Sequence, residues 1–297
     1  LRLIDLSRVF AMPYAAAFLA DLGAEVIKIE GCRFLGADTR LGGPFGGPWP
    51  DDVPGELHWE RNGVFHLLNR GKRSVTLDLN QTAGVDALKK LLATSDVVIE
   101  NFTPRVMRKF GLDYPHLRDI RSDIIMVSNT GYGHTGPFSN YGAMAASLEP
   151  THGSGAFIGY EGGPPNKIGN SYTDFLASWT ALYSVMAALL YRKRTGRGLW
   201  IDLAMYQVGA AFMGEGLLDY AFNGRVQRRV GNRHEAYAPH NSYRCRGNDR
   251  WVTIAVTDEY EWKALCRVIG SPELANDPRF ADAPARVEKR DTLDAIV

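Results

Sequence analysis

Short runs of branched aliphatic residues alternate with helical stretches along the first two thirds of the chain, and this alternation constrains the fold more than any other feature. "LRLIDLS" reads as a strand, "PYAAAFLADLG" as a helix with Pro13 in its first turn and Gly23 at its end, and "EVIKIE" as a second strand. Proline is tolerated where the backbone N–H has no helical partner, and glycine accepts the left-handed conformation that stops a helix. The β–α–β unit recurs through "RSVTLDL", "TAGVDALKKLLATS", "DVVIENF", a short helical stretch around Val106, and "DIIMVSNTG". Strands rich in Val and Ile with helices between them predict a mostly parallel sheet covered on both faces, a Rossmann-like α/β fold.

Beyond this lies "NSYTDFLASWTALYSVMAALLYRKRTGRG", a long apolar helix ended by Gly196 and Gly198, whose last-turn cations complement the helix dipole. The strand "GLWIDLAM" and a helix-like segment to about Asn223 follow. The pattern then changes: "NSYRCRGNDRWVTIAV" holds two short strands about a Gly-Asn turn, and "DEYEWKALCRVIG" is a helix. The expected organisation is a large Rossmann-like α/β domain over 1–204, a helical linker over 205–228 and a smaller α+β domain over 229–297. The small domain is expected to be incomplete, because "VEKRDTLDAIV" stops inside a helix without a C-cap. The Gly- and Pro-rich stretch from Gly36 to Gly63 is expected to loop over a site mouth.

Charge narrows the partners. With 34 basic and 33 acidic side chains, the 297-residue chain lacks the basic excess of a general nucleic-acid binder. Cys32, Cys245 and Cys266 stand far apart with no CxxC pair, which predicts neither a disulfide framework nor a zinc site and suits a reducing cytoplasm. The apolar run from Phe175 to Leu190 falls short of the ~20 residues a membrane span needs, and no signal peptide or membrane partner is expected.

Glu30 ends the second strand where a ribose-binding acid of a dinucleotide site would stand. The preceding turn, "SRVFAMP", has no glycine to let pyrophosphate approach, so NAD is not expected. "NRGKRS" and "TPRVMRK" place cations beside strands, where they either bind phosphate groups or form solvated surface clusters. The histidines are scattered without HExxH spacing, so no metal is expected; His134, in the Gly-rich turn "TGYGHTGP", is best placed to face a cleft. No serine has a GxSxG setting. Asp174, at the head of the long helix, is either a helix cap or a nucleophile held ionised at a cleft.

Taken together, "VFAMPYAAAFLADLGAEVIKIE", "NRGKRSVTLDL", "DVVIENFTPRVMRKFGL", "VSNTGYGHTGP" and "YTDFLASWTALYSVMAALLYRKRTGRG" resemble, in order and spacing, the family III CoA-transferases. That group includes formyl-CoA transferase, carnitine CoA-transferase and α-methylacyl-CoA racemase. The resemblance implies two chains threaded through each other as an interlocked homodimer, although some members pair unlike chains. It implies that Asp174 is the nucleophile, and that Val9, Phe10, Lys72, Arg73, Asn101, Phe102, Lys109 and Tyr132 contact coenzyme A, with Arg105 joining them through its phosphates. Phe10 stands where formyl-CoA transferase has a glutamine. "GNRHEAYAPHNSY" replaces that enzyme's glycine-rich loop, and family chains run on for about a hundred further residues. Ala143 occupies the racemase histidine position, so racemisation requires His134 or His152 to come within about 3 Å of the substrate proton.

The implied reaction moves CoA from an acyl-CoA to a free carboxylic acid through aspartyl anhydride and aspartyl-CoA thioester intermediates. The tail suggests succinyl-CoA with an aryl or dicarboxylic acid such as benzylsuccinate, whose distal carboxylate would meet Arg233, His234 and His240. The alternatives are an acyl-CoA racemase or epimerase acting by α-proton transfer, and a non-catalytic CoA-binding subunit of a heteromeric transferase.

Overall fold

A computed structural model of the chain describes residues 1–31, 40, 49–169 and 171–297. These divide into two units, Leu1–Ser154 with Lys167–Asn223, and Gly155–Asn166 with Gly224–Val297. The stretch expected as a linker is shared: the helices Met205–Ala211 and Gly214–Asn223 belong to the first unit, and the chain from Gly224 to the second. Cys32 and much of the loop expected between Gly36 and Gly63 lie outside the described residues.

The first unit is built on six strands, β1 (Arg2–Asp5), β2 (Glu25–Glu30), β3 (Arg73–Thr76), β4 (Val97–Glu100), β5 (Ile125–Thr130) and β6 (Trp200–Ala204). Their order is β3-β2-β1-β4-β5-β6, and every neighbouring pair is parallel. This is the α/β fold expected from the strand–helix alternation. Successive strand residues feed opposite faces. Leu3, Val97, Ile99, Ile125 and Val127 pack with α1 (Ala11–Asp21) and the long helix over Tyr172–Thr195. Ile4, Val98 and Met126 pack with the helices over Thr82–Leu92, Pro104–Lys109 and Tyr114–Ile120. Each large aliphatic side chain so buried contributes roughly 1.5–3 kcal/mol.

The long helix lies against α1 through small residues. Ala177, Ala181 and Ala188 are buried in one cluster with Ala11, Ala15 and Ala16, which lets the two backbones approach closely. By length and composition alone its 24 residues would suffice to cross a membrane. Its Ala-lined face is nevertheless core of the first unit. Gly196 ends it, donating its N–H to the Arg192 carbonyl, while the Arg192 guanidinium pairs with Asp96 at 3.0 Å. The basic tail is thus used in structure.

In the second unit the strands His240–Arg244 and Trp251–Ala255 form an antiparallel hairpin. The helix Glu259–Val268, N-capped by Asp258, carries Trp262 and Cys266 into a core with Phe280 and Leu293. This is the smaller α+β unit expected from the change in pattern.

Candidate active site

Strand order reverses between β1 and β4, so the loops leaving these strands diverge and open a crevice at their carboxyl ends, where open α/β sheets bind ligands. A cavity of about 670 Å³ occupies that place. Val9 and Phe10 line it after β1, Asn101 to Pro104 after β4, and Asn129 to Gly131 at the end of β5. The head of the helix Ala145–His152 and the head of the long helix, with Ser171, Asp174 and Phe175, complete the wall. Gly131 is required by close approach: a Cβ there would stand 2.3 Å from that of Ala143.

Two loops of this crevice are joined. The Asn101 side chain accepts the Arg8 N–H at 2.8 Å and donates to the Arg8 carbonyl at 2.7 Å. The next residue, Val9, has φ 64°. A β-branched residue is strained in this left-handed region and holds it only where its surroundings force it.

Asp174 does not cap its own helix; Ser171 occupies the N-cap position. Burial pushes the Asp174 carboxyl up to about 6, with the Glu149 charge adding to the rise, while the Ala11 N–H at the head of α1 and the Ser171 hydroxyl hydrogen-bond the carboxylate and oppose it. The group therefore sits at two helix N-termini and in a largely apolar cavity. Its proton affinity is therefore well above that of an ordinary aspartate.

The structure brings Val9, Phe10, Asn101, Phe102 and Asp174 together on one cavity. Other residues expected there are engaged elsewhere. Lys72 is buried, its ammonium donating to Asp5 at 2.7 Å, the Pro13 carbonyl at 2.8 Å and Asn69 at 3.1 Å. All three of its protons are used within the fold, and it is not among the residues lining this cavity. Arg73 pairs with Glu25, and Arg105 and Lys109 project into solvent from the helix after β4. Tyr132 packs against Phe138 and Tyr206 and is not among the lining residues. His134 also does not face this cleft: its ring and backbone N–H both meet Asp202, at 3.0 and 2.9 Å.

Arg233, His234 and His240 belong to the second unit. Arg233 is committed to Glu161, Asp291 and Asp294, and His240 Nδ1 lies 2.7 Å from the Asn232 carbonyl. Glu30, weighed above as a ribose ligand, is held by Arg40 and Ser74. Among the described residues no three His, Cys, Asp or Glu side chains converge as a metal site.

Sequence reasoning missed Lys167 and Glu149, and weighed His152 only as a base for racemisation. Lys167 lines the cavity as its one cationic side chain among the described residues. Glu149 and His152, on the helix Ala145–His152, are buried beside the head of the long helix. A Glu with a His three residues on, across Pro150 and inside an otherwise apolar stretch, was the available signal.

A crevice at the switch point of a parallel sheet, with a carboxylate of raised proton affinity on its wall, is where an α/β protein of this kind places a ligand site. The backbone is similar to the crystal structure of a CAIB/BAIF family protein from Brucella suis, with TM-score 0.88, 35% identity, and coverage of 100% of this chain and 75% of that one. The sequence is 34% identical to the acetyl-CoA:oxalate CoA-transferase of Acetobacter aceti, over 100% of this chain and 73% of the relative. It is also 34% identical to the succinate–glutarate CoA-transferase of Agrobacterium fabrum, over 100% and 72%. The chain belongs to CoA-transferase family III, whose profile matches residues 1–297, and is an enzyme of the CoA-transferase class.

The racemase alternative is not favoured. These relatives are named as transferases, and Ala143, where that branch has its histidine, lines the cavity without any histidine among the described lining residues.

Proposed function

We propose that this chain moves CoA from an acyl-CoA donor to a free carboxylic acid, with Asp174 as the nucleophile. The Asp174 oxygen attacks the thioester carbonyl, the C–S bond breaks and CoA leaves as thiolate, giving a mixed anhydride. The thiolate attacks the aspartyl carbonyl and expels the donor's acid, forming an aspartyl-CoA thioester. The acceptor carboxylate attacks that thioester, and the released thiolate then takes the acceptor's acyl group, freeing Asp174. No net proton is consumed, and one difficult exchange becomes four acyl transfers. The single observation that carries this reading is the position of Asp174, half-buried at the head of two helices yet open to the switch-point cavity. Each tetrahedral intermediate needs a donor aimed at its oxyanion, and the Ala11 N–H already points at the reacting carboxyl.

The acceptor we infer is a dicarboxylic acid, and succinyl-CoA is a fitting donor. Lys167 is the charge in the cavity that a distal carboxylate would meet. Relatives named for oxalate and glutarate support this choice. Coenzyme A itself enters as substrate beside the loops of Phe10 and Phe102.

We further propose that the chain acts as a dimer. Trp179, Tyr183, Met186 and Leu190 on the long helix are exposed apolar side chains that a second chain would cover. A relative 32% identical is named the alpha subunit of the succinyl-CoA–L-malate CoA-transferase of Chloroflexus aurantiacus, so an unlike partner is the second reading. Light scattering of the purified chain separates the two.

The test of the chemistry is to incubate the protein with succinyl-CoA, trap with hydroxylamine, and locate the modified residue by mass spectrometry. A hydroxamate at Asp174 that disappears in Asp174→Asn is expected. Labelling at another residue, or full transferase activity in Asp174→Asn, overturns the proposal.

A further inference from the structure

Two side chains behind the cavity have no role in the reaction as written. Glu149 is 1% exposed and His152 7%. Three residues apart, they share one face of the helix Ala145–His152. Glu149 Oε2 accepts the Ile168 N–H at 3.3 Å, and His152 Nε2 lies 3.2 Å from Thr173 Oγ1. Ile168 precedes the head of the long helix, and Thr173 is the residue before Asp174. The imidazole reaches Thr173 over Gly209, where a Cβ would stand 2.2 Å from the ring. Glu149 Oε1 and His152 Nδ1 are buried without hydrogen-bond partners among the described residues. Each such atom costs on the order of 1–3 kcal/mol.

We propose that Glu149 and His152 are a buried positioning pair for Asp174, gripping the chain on either side of the turn from which that carboxylate enters the cavity. The inference rests on Asp174 being the nucleophile. Glu149 adds a second contribution through its charge. It is the charged group that raises the proton affinity of Asp174, and it also acts on His152; the neighbouring helix Met205–Ala211 presents Gly209 to the imidazole, and Lys167 lines the cavity side. Loosening the grip should therefore lower turnover, while removing the charge alone should shift the pH dependence.

The variants separate these effects. Glu149→Gln keeps an acceptor for Ile168 and removes the charge, whereas Glu149→Leu removes both; Thr173→Ser keeps a hydroxyl for His152, and Thr173→Val does not. Transfer is measured from pH 5 to 8 with the acyl-CoA and acid turned over by the unaltered protein, and melting confirms that each variant folds. Glu149→Leu and Thr173→Val are expected to lose tenfold or more in kcat with little change in KM for acyl-CoA. Thr173→Ser should recover most of it. Glu149→Gln should retain much of its rate, with the acid limb of kcat/KM moved down by roughly half a pH unit or more.

Folded Glu149→Leu and Thr173→Val proteins with unaltered kcat would overturn the positioning role. A Glu149→Gln profile with an unmoved acid limb would overturn the electrostatic one. If Asp174→Asn is inactive while these variants are normal, this inference fails and the nucleophile stands; an active Asp174→Asn removes the proposed function itself.

Discussion

Two aspartates in the first unit, Asp5 buried and Asp174 half-buried, meet opposite fates. Asp5, at the end of β1, is fully buried. Burial alone would raise its carboxyl, but Lys72 at 2.7 Å, Lys28 at 3.9 Å and the Ser7 hydroxyl outweigh it and hold the group at about 2. Asp174 is raised chiefly by burial, with the Glu149 carboxylate adding to the rise, and its carboxyl reaches about 6. One charge is neutralised within the fold. The other is left underpaired where a substrate can reach it, so at Asp174 the fold carries a cost that a reacting group can use. The segment Leu6–Phe10 connects them, running from Asp5 to the Ala11 N–H that meets Asp174.

Substitutions at the two positions should move activity and stability in opposite senses. The largest expected effect is on turnover: Asp174→Asn should lose transfer activity by on the order of a thousandfold or more, read as kcat of the purified protein. The same variant should be more stable at pH 7.5 by about 2–3 kcal/mol in urea unfolding. The sign follows from the raised carboxyl. The folded state holds that proton more tightly than the unfolded chain, so ionisation costs stability as pH rises through about 6, and the advantage of Asn disappears below the usual aspartate range.

Asp5→Asn should do the reverse, costing about 3–5 kcal/mol by leaving buried lysines unpaired, with the remaining folded fraction catalytically competent. Because the Asp5 carboxyl is depressed, its contribution is full above the ordinary aspartate value and is lost as pH falls through about 2. Acid unfolding of the variant against the parent gives the comparison.

A smaller effect sharpens the charge inventory of the cavity. Lys167→Met should lower kcat/KM for succinate or glutarate about tenfold, and leave a monocarboxylic acid of similar length nearly unchanged. Equal losses for both acids, with a raised KM for acyl-CoA, would assign Lys167 to coenzyme A instead. Least of all, Val9→Gly should relieve the strained backbone between the two aspartates, raising stability by up to about 1 kcal/mol in thermal unfolding; a loss of stability would show that the Val9 side chain contributes more than its conformation costs.

The architecture was legible because period carries it. Buried strands such as Val97–Glu100 and helices with an apolar stripe announce themselves locally, whereas nothing local assigns Gly155–Asn166 to the second unit. Asp174 was legible as a cap or a nucleophile, and the resemblance pointed to the second. The cations of "NRGKRS" were not readable, since nothing local says that Lys72 turns inward to a carboxylate 67 residues away. His134 was misplaced for the same reason: its partner, Asp202, lies on a strand 68 residues further on. Glu149 escaped notice, and His152 was weighed only as a racemase base, because their place beside Asp174 depends on the long helix crossing their own, a tertiary fact with no sequence period.

Asn101 has a consequence for how a ligand is received. By returning both hydrogen bonds to one peptide of the neighbouring loop, it makes two walls of the crevice a single rigid body before anything binds. Ordering that a flexible rim would charge against affinity has been met during folding, so an acyl-CoA bound there as proposed would meet a preorganised slot and keep its binding energy for the reacting carbonyl.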